Sequence, residues 1–300
     1  MLARLQVLIT LGWVCLATAW LACFIRQSVV LAMAGFVMVV LGYSAVLGLE
    51  MLIMRRVNRG DAVPPATRAQ VFRAWLAEVL IAPRIFCWWQ PFWAHAVPDQ
   101  LSPTPTPMPR RRGVVLVHGF FCNRAFWTPW LRRLQADGHV FISLSLEPVL
   151  GSIDDYAAQI DSAVQRVNDV TGLPPVLVCH SMGGLAVRAW LRHSRGDARV
   201  HHVVTIATPH RGTWLARFGR GQNGQQMRWM SDWQAQLDQD APPDRYSRFT
   251  CWYSNCDNVV FPASSATLPG ADNRLVAGKA HVQLAFVPAV MAHTLALLAN

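Results

Sequence analysis

Ser181 stands in Cys179-His180-Ser181-Met182-Gly183-Gly184, between an apolar run from Val176 and a helical stretch from Met182 to His193. A serine hydroxyl attacks a carbonyl only when a base takes its proton. It gains reach on a tight turn between a strand and a helix, where the pattern Gly-x-Ser-x-Gly keeps the flanking residues small. Gly183 fills the second small position; Cys179 fills the first and departs from glycine. Taken alone, Ser181 is equally a serine at a helix start.

An acid, a base and an oxyanion pocket would decide between these readings, and the chain offers each in turn. "FTCWYSNCDNVV" is a strand followed by a loop holding Asp257, and "LVAGKAHVQL" puts His281 in a loop before the last helix. Upstream, "VLVHGFF" places His118-Gly119-Phe120 directly after an apolar run. The backbone N–H groups of Phe120 and Met182 can then face a developing oxyanion. His118 is better placed to fix that loop than to move protons, and His180 inside the elbow is read as a packing residue. His210, in "TPHRG", is a competing candidate for the base. Asp154 and Asp155 begin a helix, where carboxylates are favoured by capping and by the dipole. Asp272 lies in the turn-like "PGADN". No paired cysteines or His/Cys cluster suggests a metal site, and no cofactor is implied.

The elements that must hold these residues alternate. "VVLV", "VFISLSL", "PVLVC" and "VVTIAT" read as strands, separated by helical stretches such as Trp127 to Ala136 and "DDYAAQIDSAVQRV". Alternation of this kind implies a mostly parallel sheet with helices on both faces. Residues 214–247 carry no strand pattern but several large apolar side chains, and are read as a cap over an acyl pocket or a packing insertion.

Together, "VLVHGF", "CHSMGG", "ATPHRGT" and "YSNCDNVVFPASSATLPGADN…GKAH" resemble bacterial lipases and esterases of the α/β-hydrolase superfamily, from about Gly113 to the C-terminus. The resemblance implies an α/β-hydrolase fold in which Ser181 is the nucleophile, His281 the base and then the acid, and Asp257 the group that orients the imidazole. Cys179 is the one departure in a core motif, and no carboxylate cluster suggests a calcium site.

Ahead of this region lies a different composition. Leu5–Ile25 and Ser28–Leu49 carry no charge. At ~1.5 Å per residue each spans about 30 Å, the thickness of a bilayer's hydrocarbon core. A pair of such runs reads as two transmembrane helices rather than a cleaved signal, with Ala32, Ala34, Gly35, Gly42 and Gly48 allowing close approach. Arg4, Arg55, Arg56 and Arg59 flank the pair while Arg26 alone sits between the runs, so the positive-inside bias puts both ends in the cytoplasm. Next comes an amphipathic helix with Val71, Phe72, Trp75, Leu76, Val79 and Leu80 on one side and Arg73, Ala77 and Glu78 on the other. Trp88, Trp89 and Trp93 follow, suited to the headgroup zone or to packing on the catalytic domain. The expected division is a membrane anchor over 1–60, an amphipathic helix and proline-rich spacer over 61–112, and a catalytic domain over 113–300.

Composition sets the remaining bounds. The formal net charge of +10 comes almost wholly from arginine and suits anionic headgroups; no nucleic-acid motif accompanies it. Seven irregularly spaced cysteines argue against a disulfide framework, although Cys251 and Cys256 could bridge in an oxidising compartment. The favoured function is a serine ester hydrolase acting on lipid-like esters at a bacterial plasma membrane. Acyl transfer on the same residues and a non-catalytic membrane adaptor are the alternatives. If the hairpin is a tether to a lipid substrate, a chain beginning near Pro109 still cleaves short, soluble esters and loses most of its activity on long-chain esters in vesicles. Oligomeric state is not legible.

Overall fold

The computed structural model describes residues 1–102 and 111–299, so most of the proline-rich spacer lies outside the described residues. The strands are β1 (Val114–Val117), β2 (Phe141–Ser143), β3 (Val176–His180), β4 (His202–Ile206), β5 (Phe249–Tyr253) and β6 (Asp272–Leu275). They form one parallel sheet in the order β2-β1-β3-β4-β5-β6. All residues of β1 and β3 are buried, as continuous apolar runs require when helices cover both faces. Alternate residues feed two cores. Val115, Val117, Leu177, Cys179 and Val203 pack toward one, with Ile160 and Val164; Val114, Leu116, Val176, Val178 and Val204 pack toward the other, with Trp130 and Val290. The sequence reading did not include β6. It is polar and mostly exposed, as an edge strand tolerates, so no hydrophobic signal marks it.

Two helices open the chain, α1 (Leu2–Phe24) and α2 (Val29–Val57). Both are long and apolar enough to cross a membrane. Ala32 and Gly35 are buried between them, and a Cβ on Gly35 would lie 1.9 Å from the Trp20 ring. Gly42 has no such neighbour. The C-terminal stretch His281–Leu298 meets the same length and apolarity criterion. It is broken into two helices after Leu284, and Val282, Leu284, Val290 and Leu298 pack into the second core.

The amphipathic segment is α3 (Arg68–Pro83), opened by a Thr67/Gln70 capping box and followed by a π-helical turn, Arg84–Trp89, and a short α4 (Gln90–Phe92). Its buried side is not the one that hydrophobicity alone selects. Ala74 and Glu78 are buried, whereas Phe72, Leu76 and Leu80, one helical turn apart, are exposed. Trp75 Nε1 donates to the Ser44 carbonyl and Tyr43 Oη to the Val79 carbonyl, which locks α3 along α2. The tryptophans divide: Trp89 packs edge-on against Phe286, while Trp88 is exposed.

Three further helices cover the sheet, α5 (Thr128–Ala136), α6 (Ala157–Thr171) and α7 (Met182–Ser194), and the 214–247 insertion carries α8 (Gln222–Gln226) and α9 (Asp232–Gln239). The chain ends on α10 (His281–Leu284) and α11 (Pro288–Leu298). Arg188 of α7 pins the insertion. Its guanidinium donates to Asp238 Oδ1 at 2.6 Å, to Tyr246 Oη at 2.9 and 3.1 Å, and to the His210 carbonyl at 2.8 Å. Trp233 Nε1 adds a bond to Asp154, and Leu237 reaches the first core. Phe218, Trp229 and Met230 of the same insertion stay exposed. Arg188→Ala should cost about 2–4 kcal/mol, because it leaves the buried His210 carbonyl without its donor and strips Tyr246 Oη and Asp238 of their guanidinium. Arg188→Lys should recover less than half, since an ammonium cannot match the planar fork. Denaturant unfolding of the detergent-solubilised protein measures both.

Candidate active site

Ser181 sits at the end of β3 with φ 54° and ψ −128°, a left-handed conformation that L-residues avoid. The strain is held from both sides. Ser181 N donates to the Ile206 carbonyl at 2.8 Å, extending the β3–β4 ladder by one residue before α7 begins. A Cβ on Gly183 would stand 2.4 Å from the Val117 carbonyl oxygen and 2.6 Å from that of His118, so only glycine lets α7 pass this close over β1. Cys179, by contrast, is an ordinary buried residue of β3 and lacks a positive φ. Its departure from glycine therefore adds no backbone strain. Burial pushes its thiol well above the usual range, which keeps it un-ionised.

The loop after β1 closes on the serine. A Cβ on Gly119 would lie 2.8 Å from Ser181 Cβ, so this loop can touch the serine only through glycine. His118 fixes it: Nδ1 donates to the Gly119 carbonyl at 2.8 Å, and Nε2 accepts from Leu146 N at 3.0 Å. Full burial lowers the His118 pKa to about 4, so it stays neutral and holds that tautomer. Phe120 begins the exposed part of the loop. Met182 is the first residue of α7, where N–H groups have no intrahelical acceptor.

His281 and Asp257 meet by the most direct contact in the site. His281 Nδ1 lies 2.9 Å from Asp257 Oδ1 and 3.0 Å from Oδ2. Asp257 Oδ1 also accepts from Val259 N and Val260 N, which fixes the carboxylate in its loop. The His180 ring, adjacent in sequence to Ser181, lies 4.7 Å from the His281 ring, and its Nε2 contacts the His281 carbonyl at 3.2 Å. His180 also stacks on Phe126, and burial with the neighbouring His281 charge drives its pKa well down. Ser181, Asp257 and His281 are 7%, 2% and 6% exposed, so the site is largely dry. Burial pulls the His281 pKa down. The Asp257 charge and hydrogen bond, with lesser help from Glu78 and Glu50, more than reverse this and leave it raised above 6.5.

The competing residues lie elsewhere. His210 is buried against Thr205 Oγ1 at 3.0 Å and Cys251 Sγ at 3.6 Å, and burial drives its pKa well down. Asp154 bonds Arg192, Trp233 and Gln226; Asp155 caps a turn; Asp272 pairs with Arg274 on the edge strand. Cys251 and Cys256 are both free thiols.

Several residues around the site carried no motif. Gln6 of α1 donates to the Phe121 carbonyl at 3.2 Å and accepts from Asn123 Nδ2 at 2.9 Å, while Gln90 Oε1 accepts from Asn123 N. A buried amide cluster thus joins the first membrane-type helix to the loop bearing Phe120. Asn258 Oδ1 accepts from His281 N at 3.2 Å, and its Nδ2 donates to Glu50 Oε2 of α2 at 2.7 Å. The usable signal was the rarity of a glutamine and a glutamate in apolar runs, where polar side chains face protein partners.

The pattern of the family model for the alpha/beta hydrolase family matches residues 114–297. The chain belongs to that family. The hydrolase region is similar in fold to the mature form of Bacillus licheniformis lipase BlEst2, at 19% identity and a TM-score of 0.58, over 66% of this chain and 96% of that one. It is also similar to Aspergillus fumigatus lipase B, at 17% identity and a TM-score of 0.54, over 65% of this chain and 55% of that one. No curated protein matches the chain at a significant level. The matched span of the hydrolase begins at β1, so α1 to α4 lie outside it.

If His281 works as a base it must be neutral, so its raised pKa places the acidic limb of kcat/KM above that of a free histidine, with activity lost as pH falls through it. Asp257→Asn should lower ester turnover by about 10³–10⁴-fold. Asp272→Asn should change it less than about two-fold, because that carboxylate is exposed at the sheet edge. Steady-state pH profiles of the three proteins check the ranking.

Proposed function

We propose that this hydrolase is a membrane-associated serine ester hydrolase that cleaves lipid-like carboxylic esters through an acyl-enzyme. The buried Asp257–His281 pair beside a left-handed serine carries the reading. In the proposed cycle Ser181 Oγ attacks the ester carbonyl carbon while His281 Nε2 takes the hydroxyl proton. The oxyanion is held by the N–H groups of Phe120 and Met182, and Asp257 stabilises the imidazolium. His281 then passes its proton to the alcohol oxygen as the C–O bond breaks. Water, deprotonated by His281, attacks the acyl-serine, and the acid leaves as Ser181 recovers its proton.

The lipid-like substrate class rests on the surroundings. Two helices long and apolar enough to cross a membrane adjoin the site. The exposed Phe72, Leu76 and Leu80 stripe and the exposed Trp88 and Phe92 continue that apolar surface. The arginine bias favours the cytoplasmic side of a bacterial plasma membrane. A pure tether would leave short-ester activity intact in a chain beginning near Pro109. The ties from Gln6 and Glu50 argue otherwise, because both reach loops that carry the reacting groups.

A fluorophosphonate probe should label the full chain and fail on Ser181→Ala, whose ester turnover should fall by about 10⁴-fold or more. A wild-type protein that neither labels nor cleaves any ester in a chain-length series would refute the proposal. The chain beginning at Pro109 should lose activity on short soluble esters and on long-chain esters in vesicles alike. Full retention on the soluble esters would return the hairpin to a tether.

A further inference from the structure

Glu78 is the most deeply placed acidic residue outside the Asp257–His281 pair. It is 2% exposed and sits on α3, outside the span that matches the hydrolase family. Its Oε1 accepts from Val282 N at 3.0 Å and its Oε2 from Gln283 N at 3.2 Å. These are the second and third residues of α10, and His281 is the first. The N-cap residue of α10 is Ala280, which has no side-chain acceptor to offer. A carboxylate from another helix, some two hundred residues away in sequence, therefore does the capping.

We propose that Glu78 is a positioning residue for the proposed reaction: its carboxylate holds the backbone that carries His281 and so sets the imidazole between Asp257 and Ser181. The inference rests on the reading of His281 as the base. A carboxylate this buried is costly without compensation, and among the described residues no arginine or lysine forms an ion pair with it. What faces it is the α10 backbone, His281 and, more distantly, Asp257; Glu50 reaches the same imidazole region from α2 through Asn258, and His180 lies against the His281 ring. Burial raises the Glu78 carboxyl to about 7, against the pull of the two N–H bonds and of His281. Ionised, it accepts both N–H groups and adds negative charge where an imidazolium must form in each turnover. The Trp75–Ser44 and Tyr43–Val79 bonds between α3 and α2 keep this lever stiff.

The test uses the full chain in detergent and a short soluble ester. Glu78→Gln keeps the shape but offers one acceptor and no charge. Its kcat should fall about ten-fold with KM little changed. Its acidic limb should move to lower pH by roughly half a unit or more, because the imidazolium loses a nearby anion. Glu78→Asp keeps the charge, so its limb should stay close to wild type while kcat is only partly recovered. A folded Glu78→Gln protein with wild-type kcat and limb overturns the proposal. So does one with a lowered melting temperature and an unmoved limb, which would make Glu78 a structural cap alone. If Glu78→Gln does not fold, Glu78→Asp decides: a kcat within about two-fold of wild type overturns the positioning role. Full activity in Ser181→Ala, run alongside, would instead sink the reading of the site.

Discussion

A carboxylate and an imidazole can share a nearly dry site only if the backbone holds both where each compensates the other. The Asp257–His281 contact is of this kind, and the architecture at the sheet's carboxyl end answers to it. Val259 N and Val260 N hold the carboxylate, and Asn258 ties the same loop to His281 N. Desolvation alone would strip the imidazole of its proton affinity. The surrounding carboxylates reverse the sign, leaving a group able to accept a proton in a site largely closed to water.

The second half of the site is geometric rather than electrostatic. A left-handed serine costs of order 1–3 kcal/mol of backbone strain. It persists here because the β3–β4 ladder holds the residue on one side and α7 on the other. Two glycines, Gly119 and Gly183, let three chain segments meet at separations that no Cβ would allow.

The segment ahead of the family-matched region touches each of these parts. Gln6 reaches the loop behind Phe120, Glu50 reaches Asn258, Asn58 accepts from Ala263 N, and Asp61 accepts from Ser264 N. An anchor that only raises local concentration needs no such bonds. In α3 the usual logic is inverted: the apolar Phe72, Leu76 and Leu80 stripe is exposed and an acidic residue is buried. That inversion suits a helix lying between a polar site and an apolar surrounding.

The sequence by itself determined what short-range patterns determine. Apolar runs of strand length set β1, β3 and β4, and the two long uncharged runs set α1 and α2. The local demands of a strand-to-helix elbow marked Ser181, and the order of loops singled out Asp257 and His281, which the fold brings into contact. Tertiary structure decided the rest. The edge strand β6 has no apolar face to announce it. The pattern of α3 showed two faces but not which one the protein would cover. Glu78 and Gln6 act across separations of more than a hundred residues on backbone groups that any residue type supplies, and Glu50 and Asn123 meet side chains equally far along the chain. A hydrogen bond to a distant backbone N–H leaves no mark in the composition near either partner, so only the folded chain reveals it.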